Sequence, residues 1–371
     1  MTLTLDRRRL NRATLARQFL LARADAAPTD MIRHLVALQG QDPEPPYIGL
    51  WNRIDGFRID DLARLLHDRT VVRGTLFRAT QHLSLAEDYR WLRPMLQSML
   101  VGRVRGIFAR QTEGLDLDEL AAAARELLAD RPLTRPELGR ALARRWPAYE
   151  PAVLGWCAQG RVAVVHPPPD GLWGRRGATP FVLAEQWLGG PLTDAPLAGR
   201  LVRRYLAAFG PATAADVRAF SGMAGLREVV EALRPELAVF RDEAGRELFD
   251  LPDAPRPDPD VPAPVRFLAP LDNVVLGYAD RSRLMSDEAR RRVGFEPALT
   301  VDGTVRGFWH LRGGALDVEL VEPLSRAERD AVTEEGARLL TFAAPDAAAD
   351  HDIRLTPATS PAPARPAPPP A

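Results

Sequence analysis

The sequence predicts an α+β protein: tandem winged-helix (helix-turn-helix) domains followed by a small β-rich C-terminal domain. Three observations carry that prediction. From Leu115 the residue patterns run helix, short turn, helix, helix, strand, Gly-rich turn, strand. A similar order recurs at 197–250. Beyond a proline-rich stretch, apolar and polar residues alternate around the two-residue turn Asp302-Gly303.

The elements follow in chain order. Residues 7–24 read as an amphipathic helix through Leu10, Leu15, Phe19 and Leu20. Thr29 or Asp30 caps a second helix carrying Met31, Ile32, Leu35, Val36 and Leu38. It is expected to stop at Gly40, because Asp42-Pro43 forbids continuation. A short helix at 59–67 and the β-rich run 70–77 come next. A further helix has Ser84 as N-cap and Glu87 three residues on. Together these make an N-terminal winged-helix-like domain, 1–112. In 113–190, Thr134 caps a helix with Pro136 in its first turn and Glu137 at the third position, and a β-hairpin wing spans 161–183. In 191–251, a helix ends at Gly210, Thr213 caps the next with Asp216 three residues later, and a hairpin turns at Ala244-Gly245. "PDAPRPDPDVPAP" at 252–264 reads as a linker. The β-rich domain is placed at 265–345, ending in a helix capped by Ser325 with Glu328. The Pro/Ala tail at 346–371 is expected to be disordered.

Composition narrows the function. Cys157 is the only cysteine of 371 residues, which excludes an internal disulfide and a multi-cysteine zinc site and fits a cytoplasmic protein. No apolar run reaches the ~18 residues of a membrane span, and the N-terminus lacks the apolar core of a signal peptide. The chain has no lysine; its 49 basic residues are all arginine, a compositional bias rather than a functional demand. Net charge is zero, which argues against a simple nucleic-acid coat protein. Residues 1–110 nevertheless hold 18 arginines against 11 acidic residues, an excess that can face phosphate. No HExxH, Walker A, GxSxG or strand–helix GxGxxG pattern occurs, and the six histidines are scattered, so neither metal nor cofactor is expected.

Winged helices bind DNA or serve as protein-interaction modules. The wing tip "DGLWGRRG" displays Trp173, Arg175 and Arg176 between glycines, a DNA-gripping set or simply a surface turn. Arg73, in the β-rich run, joins them as a candidate DNA contact. The pair Gln39 and Gln41 draws separate attention. On a helix, residues i and i+2 point roughly 200° apart. After a helix stop they project to one side, and two neutral amides can then hold a water or read a base edge. By spacing alone the simpler role is to satisfy orphan carbonyls at the helix end. "LDN" at 271–273 offers Asp272 and Asn273 to a cleft, or Asp272 as a turn or cap residue.

Five segments in order, "LQGQDPEPPYIGLWNRI", "VVRGTLF", "YLAAFGPATAADVRAFSG", "FLAPLDNVVLGYADRSRL" and "VDGTVRGFW", resemble the winged-helix DNA glycosylase family typified by AlkZ and YcaQ, over about residues 8–345. The resemblance implies tandem winged helices with a β-rich C-terminal domain. It also implies an enzyme that hydrolyses the N-glycosidic bond of bulky N7-alkylated purines, some interstrand crosslinks included, in repair or in self-resistance to a genotoxic natural product. The Gln-x-Gln motif of the AlkZ-like branch falls on Gln39 and Gln41 as catalytic residues; the YcaQ-like branch has aspartate at the second position. Two positions depart from the pattern: Gly40 stands where a larger apolar residue is usual, and Phe77 where histidine is frequent. The implied partner is double-stranded DNA carrying alkylated purines, with the protein a monomer away from membranes. The competing readings are a non-catalytic winged-helix DNA-binding protein, such as a transcriptional regulator, and a protein-interaction scaffold.

Overall fold

One antiparallel sheet ties the first two segments of the chain together. Its order is Leu38–Gln39, Gln81–Leu85, Val71–Thr75, Val164–His166, Val182–Leu183. Strands from residues 1–112 and from 113–190 therefore share one hydrogen-bonded layer, joined where Arg73 and Gly74 pair with His166 and Val165. Gly74 is required at that seam, because a Cβ there would sit 2.6 Å from the Tyr89 ring, whose hydroxyl donates to the Val164 carbonyl. The computed structural model describes residues 3–177, 179–193, 195, 197–292, 296–344 and 352–357, and the fold is α+β.

Two stretches show three helices and then a strand pair. The first has Leu117–Asp130, Arg135–Ala143 and Pro151–Arg161 before Val164–His166 and Val182–Leu183. The second has Ala198–Phe209, Ala214–Ser221 and Leu226–Leu233 before Ala238–Asp242 and Glu247–Asp250. The expected capping boxes are present, with Thr134 and Glu137 closing one helix start and Thr213 and Asp216 the other. The C-terminal sheet runs Ile353–Pro357, Ala315–Leu320, Thr304–Arg312, Ala298–Val301, Arg266–Phe267. Its tight turn has Asp302 at φ 46 and Gly303 at φ 76, the doubly left-handed form that hairpins favour. Helix Arg326–Ala343 covers this sheet and is capped by Ser325 and Glu328.

Several expectations are corrected. The first helix ends at Arg17 rather than 24, since Phe19 turns left-handed at φ 54. The second helix is Pro28–His34 with Ala27, not Thr29 or Asp30, at its N-cap. It stops well before Gly40, because Val36 at φ 71 sends Leu38 and Gln39 into a strand. Ser84 is a buried strand residue, and the helix after it begins at Ala86 with no side-chain cap. Within the tail, Ile353–Pro357 pairs parallel with Ala315–Leu320; residues 345–351 and 358–371 lie outside the described residues. The proline-rich stretch is held against helix Arg7–Arg17, where Arg8, Arg12 and Arg17 donate to the carbonyls of Pro259, Val261 and Pro255 at 2.8, 2.7 and 3.1 Å. Among the described residues no helix is long and apolar enough to cross a membrane.

The element that follows the glutamine pair is helix Pro45–Trp51, every residue of which is buried. Tyr47, Leu50 and Trp51 share one apolar cluster with Phe267, Trp309 and Leu339 of the C-terminal sheet and helix. Asn52 donates to the Phe267 carbonyl at 2.7 Å. The glutamines thus stand where the first sheet meets the C-terminal sheet and its helix.

Candidate active site

Gln39 pairs with His82 across the Leu38–Gln39/Gln81–Leu85 ladder, and the Gly40 amide continues it by donating to Gln81 at 2.8 Å. A Cβ on Gly40 would meet Leu83 Cδ1 at 2.6 Å and Pro46 Cγ at 3.4 Å. Leu83 is fully buried, so this chain has packed a leucine into the space that a larger residue at 40 would take. Gly40→Ala is expected to cost about 1–2 kcal/mol of stability, read as a lower urea midpoint with an unchanged slope.

The two amides do not cap a helix. Gln39 Nε2 donates to Thr80 Oγ1 at 2.9 Å, and its Oε1 accepts from Arg78 at 2.7 Å. Gln41 Oε1 accepts from the backbone amide of Gln81 at 3.2 Å. Both side chains therefore reach adjacent residues of one segment, Thr80 and Gln81. Gln39 is buried and Gln41 half-buried.

Arg73, expected to face DNA, is not displayed at the surface. It is buried, ion-paired with Asp170, and donates to the carbonyls of Gly40 and Gln41, each at 2.9 Å. It clamps the motif backbone from behind. Asp170 also stands 3.3 Å from His166 Nδ1, and His166 Nε2 lies 3.3 Å from Gln81 Nε2. A buried network thus runs behind the motif to the residue that holds Gln41.

Asp272 and Asn273 both reach the site. Asp272 caps helix Asn273–Leu276 by accepting from Val274 at 2.9 Å, and its carboxylate takes a two-pronged contact from Arg53 at 2.8 and 2.9 Å. Asn273 Nδ2 donates to the Ala37 carbonyl at 3.0 Å, and its Oδ1 accepts from Arg78 at 2.8 Å. Gln39, Asp272, Asn273, Arg53 and Gln18 line a void of about 20 Å³. That is room for a single water with several polar partners.

The wing tip is not a free blade. Trp173 is half-buried, its ring centroid 5.5 Å from Tyr47 and 5.7 Å from Phe342. Tyr47 donates to the Gly171 carbonyl at 3.1 Å. The segment between the two strands therefore lies back on helix Pro45–Trp51. Arg175 remains exposed, and Arg176, 74% exposed, meets Glu44 at 3.3 Å. Through Glu44, Arg176 sits near the glutamine motif, a proximity that spacing alone did not foretell.

Two site histidines are held neutral. Burial lowers His82 to about 3, with Arg78 adding to the effect. Burial and then Arg73 lower His166 to about 4, against the opposing pull of Asp170. Folded values below the ordinary 6.5 mean that the unfolded chain binds more protons in acid. Stability is expected to be fully present above about pH 7 and to fall as pH drops from ~6.5 toward ~4, by about 1 kcal/mol per pH unit for each histidine. Urea midpoints across that window measure it, and His82→Gln should flatten the slope.

Sequence reasoning missed Arg78, Thr80, Gln81 and Arg53. Arg78 reaches the site because it and Ala79 both adopt left-handed backbone, φ 56 and 61, for which "LFRATQ" carries no glycine or asparagine signal.

The sequence model of a family described as "DNA glycosylase AlkZ-like" matches residues 32–342. Among solved structures the chain is similar to the Streptomyces sahachiroi DNA glycosylase AlkZ, at 22% identity and a TM-score of 0.73, over 95% of this chain and 100% of that one. At that identity the structural likeness speaks for the fold. No curated protein sequence matches.

Proposed function

The chain belongs to the AlkZ-like DNA glycosylase family, and from that premise we propose that it is a monofunctional enzyme hydrolysing the N-glycosidic bond of bulky N7-alkylated purines in double-stranded DNA. The carrying observation is the convergence of Gln39 and Gln41 on Thr80 and Gln81, with Gln39 at the edge of a water-sized void. An N7-alkylated purine is cationic and already a good leaving group, so little general acid is needed. The remaining tasks are to orient a water toward the sugar C1′ and to stabilise positive charge there. Amide carbonyls do both through fixed dipoles. The carboxylate lining the void, Asp272, is committed to Arg53 and to its helix cap. A chain without lysine has no lysine amine to form a Schiff base with the sugar, which favours simple hydrolysis over strand-cleaving chemistry.

The two stretches of three helices and a strand pair are read as winged-helix units that carry the duplex, with Arg175 and Arg176 gripping the backbone beside the lesion. Interstrand crosslinks are included among the proposed substrates, and self-resistance to an alkylating natural product is the proposed setting. The test is incubation with duplexes carrying small and bulky N7-alkylguanines, scoring abasic sites by alkaline strand cleavage. Abasic sites with the bulky adduct are the expected result. No cleavage with any adduct, beside sequence-specific binding of undamaged DNA, favours a non-catalytic regulator.

A further inference from the structure

Arg78 holds a charge that no described residue cancels. Its guanidinium donates to three neutral oxygens from three segments: the Phe220 carbonyl, Gln39 Oε1 and Asn273 Oδ1. Among the described residues no carboxylate pairs with it, whereas the neighbouring site arginines Arg53 and Arg73 each have one. The charge that acts on it is another cation, Arg281, which also lacks a carboxylate partner among the described residues. Burying an unneutralised guanidinium is unfavourable. The backbone that places it there is itself strained, at two successive left-handed residues. Strain and an open charge at one position mark a state built to change partners.

The location shows what the partner is. Arg78 separates two spaces. On one side, Gln39 and Asn273 line the water-sized void. On the other, Arg78 lines a surface pocket of about 530 Å³ with Ser98, Met99, Arg103, Gly222 and Met223. Arg103 lines the same pocket, and among the described residues no carboxylate lines it beside these two arginines, which suits an anion. In the present state Gln39 spends one carbonyl lone pair on Arg78 and one N–H on Thr80, which fixes the orientation of its amide and leaves one of each for a water.

We propose that Arg78 is a phosphate-operated latch: a DNA phosphodiester entering the pocket beside Met99 and Gly222 takes the guanidinium, which then releases Gln39 Oε1 and Asn273 Oδ1 toward the void. A guanidinium prefers the two oxygens of a phosphate to two neutral amides, because the contact is two-pronged and charge-assisted. The bound phosphate also cancels the positive charge that would oppose a cationic sugar nearby. The consequence for Gln39 rests on the glycosylase reading; the phosphate contact does not.

The test uses the full chain and a duplex containing tetrahydrofuran, an abasic analogue, so that binding is read without any excision. In wild type, the slope of log K against log salt reports phosphate contacts. Arg78→Gln is expected to reduce that slope by about 0.9 and to weaken binding about tenfold at low salt. A single neutral methylphosphonate, walked along the linkages flanking the analogue, should weaken wild type at one linkage and leave Arg78→Gln unaffected there. A slope unchanged in Arg78→Gln, or methylphosphonate losses equal in the two proteins at every linkage, overturns the latch. A readout on the unaltered chain covers a variant that fails to fold. The Gln39 side-chain amide resonance should shift on binding the phosphodiester duplex and not the duplex neutralised at the critical linkage; an equal shift with both overturns the proposal. Failure of wild type to excise any adduct counts against the glycosylase reading alone.

Discussion

Gln41→Ala is expected to slow single-turnover excision of a bulky N7-alkylguanine by about 10²–10³-fold while leaving the melting temperature nearly unchanged. Gln41 is half-buried and makes one long hydrogen bond, 3.2 Å to the Gln81 amide, so its removal disturbs little packing. The loss comes from one oriented dipole at a developing charge, the size seen when a single preorganised donor or acceptor is deleted from an active site. Gln39→Ala is expected to match it in rate but not in stability. Its carbonyl is one of three oxygens around the Arg78 guanidinium, and truncation leaves that buried cation short of an acceptor, at a cost of about 1–3 kcal/mol. The pair thus separates chemistry from scaffold: both variants lose rate and only Gln39→Ala loses stability. If both excise at the wild-type rate, the Gln-x-Gln assignment is wrong.

How far the site was legible follows from what carries each part of it. Local signals read well. Helix Ile59–His67 lies where its apolar period placed it, and the Thr134, Thr213 and Ser325 capping boxes and the Asp302-Gly303 turn are written in adjacent residues. The strand Leu38–Gln39 did not, because Met31 to Leu38 keeps a helical apolar period and the break lies in the positive φ of Val36, for which valine gives no cue. Pairing with residues 81–85 then decides where the amides point, and that is a tertiary fact. Family resemblance chose Gln39 and Gln41, yet neither it nor spacing revealed their partners. Arg73 read as a cation for phosphate since it lies in a basic region; only its register against His166 shows that it faces Asp170 and the motif carbonyls. Trp173 read as displayed for a similar reason, since three glycines around it mark a turn without saying what the turn rests on.

Asp170→Ala carries the largest expected loss of stability, about 3–5 kcal/mol, because it strands the buried Arg73 charge. The Gly40 and Gln41 carbonyls would remain as partners, but neutral oxygens do not neutralise a guanidinium. The double change Arg73→Met with Asp170→Ala removes the charge altogether, and most of the lost stability should return, since a buried ion pair replaced by apolar groups is often close to neutral. Activity should not return with it. Without Arg73 the two motif carbonyls lose their shared donor, and Gln41 loses the backbone restraint that aims its side chain at Gln81. The measurement is a comparison of urea midpoint and single-turnover excision rate for wild type, Asp170→Ala and the double variant. A double variant that recovers both would show that Arg73 only balances a buried carboxylate. Recovery of stability with the rate still depressed would show that it positions the glutamines, with the Asp170 carboxylate present to make a buried guanidinium tolerable there.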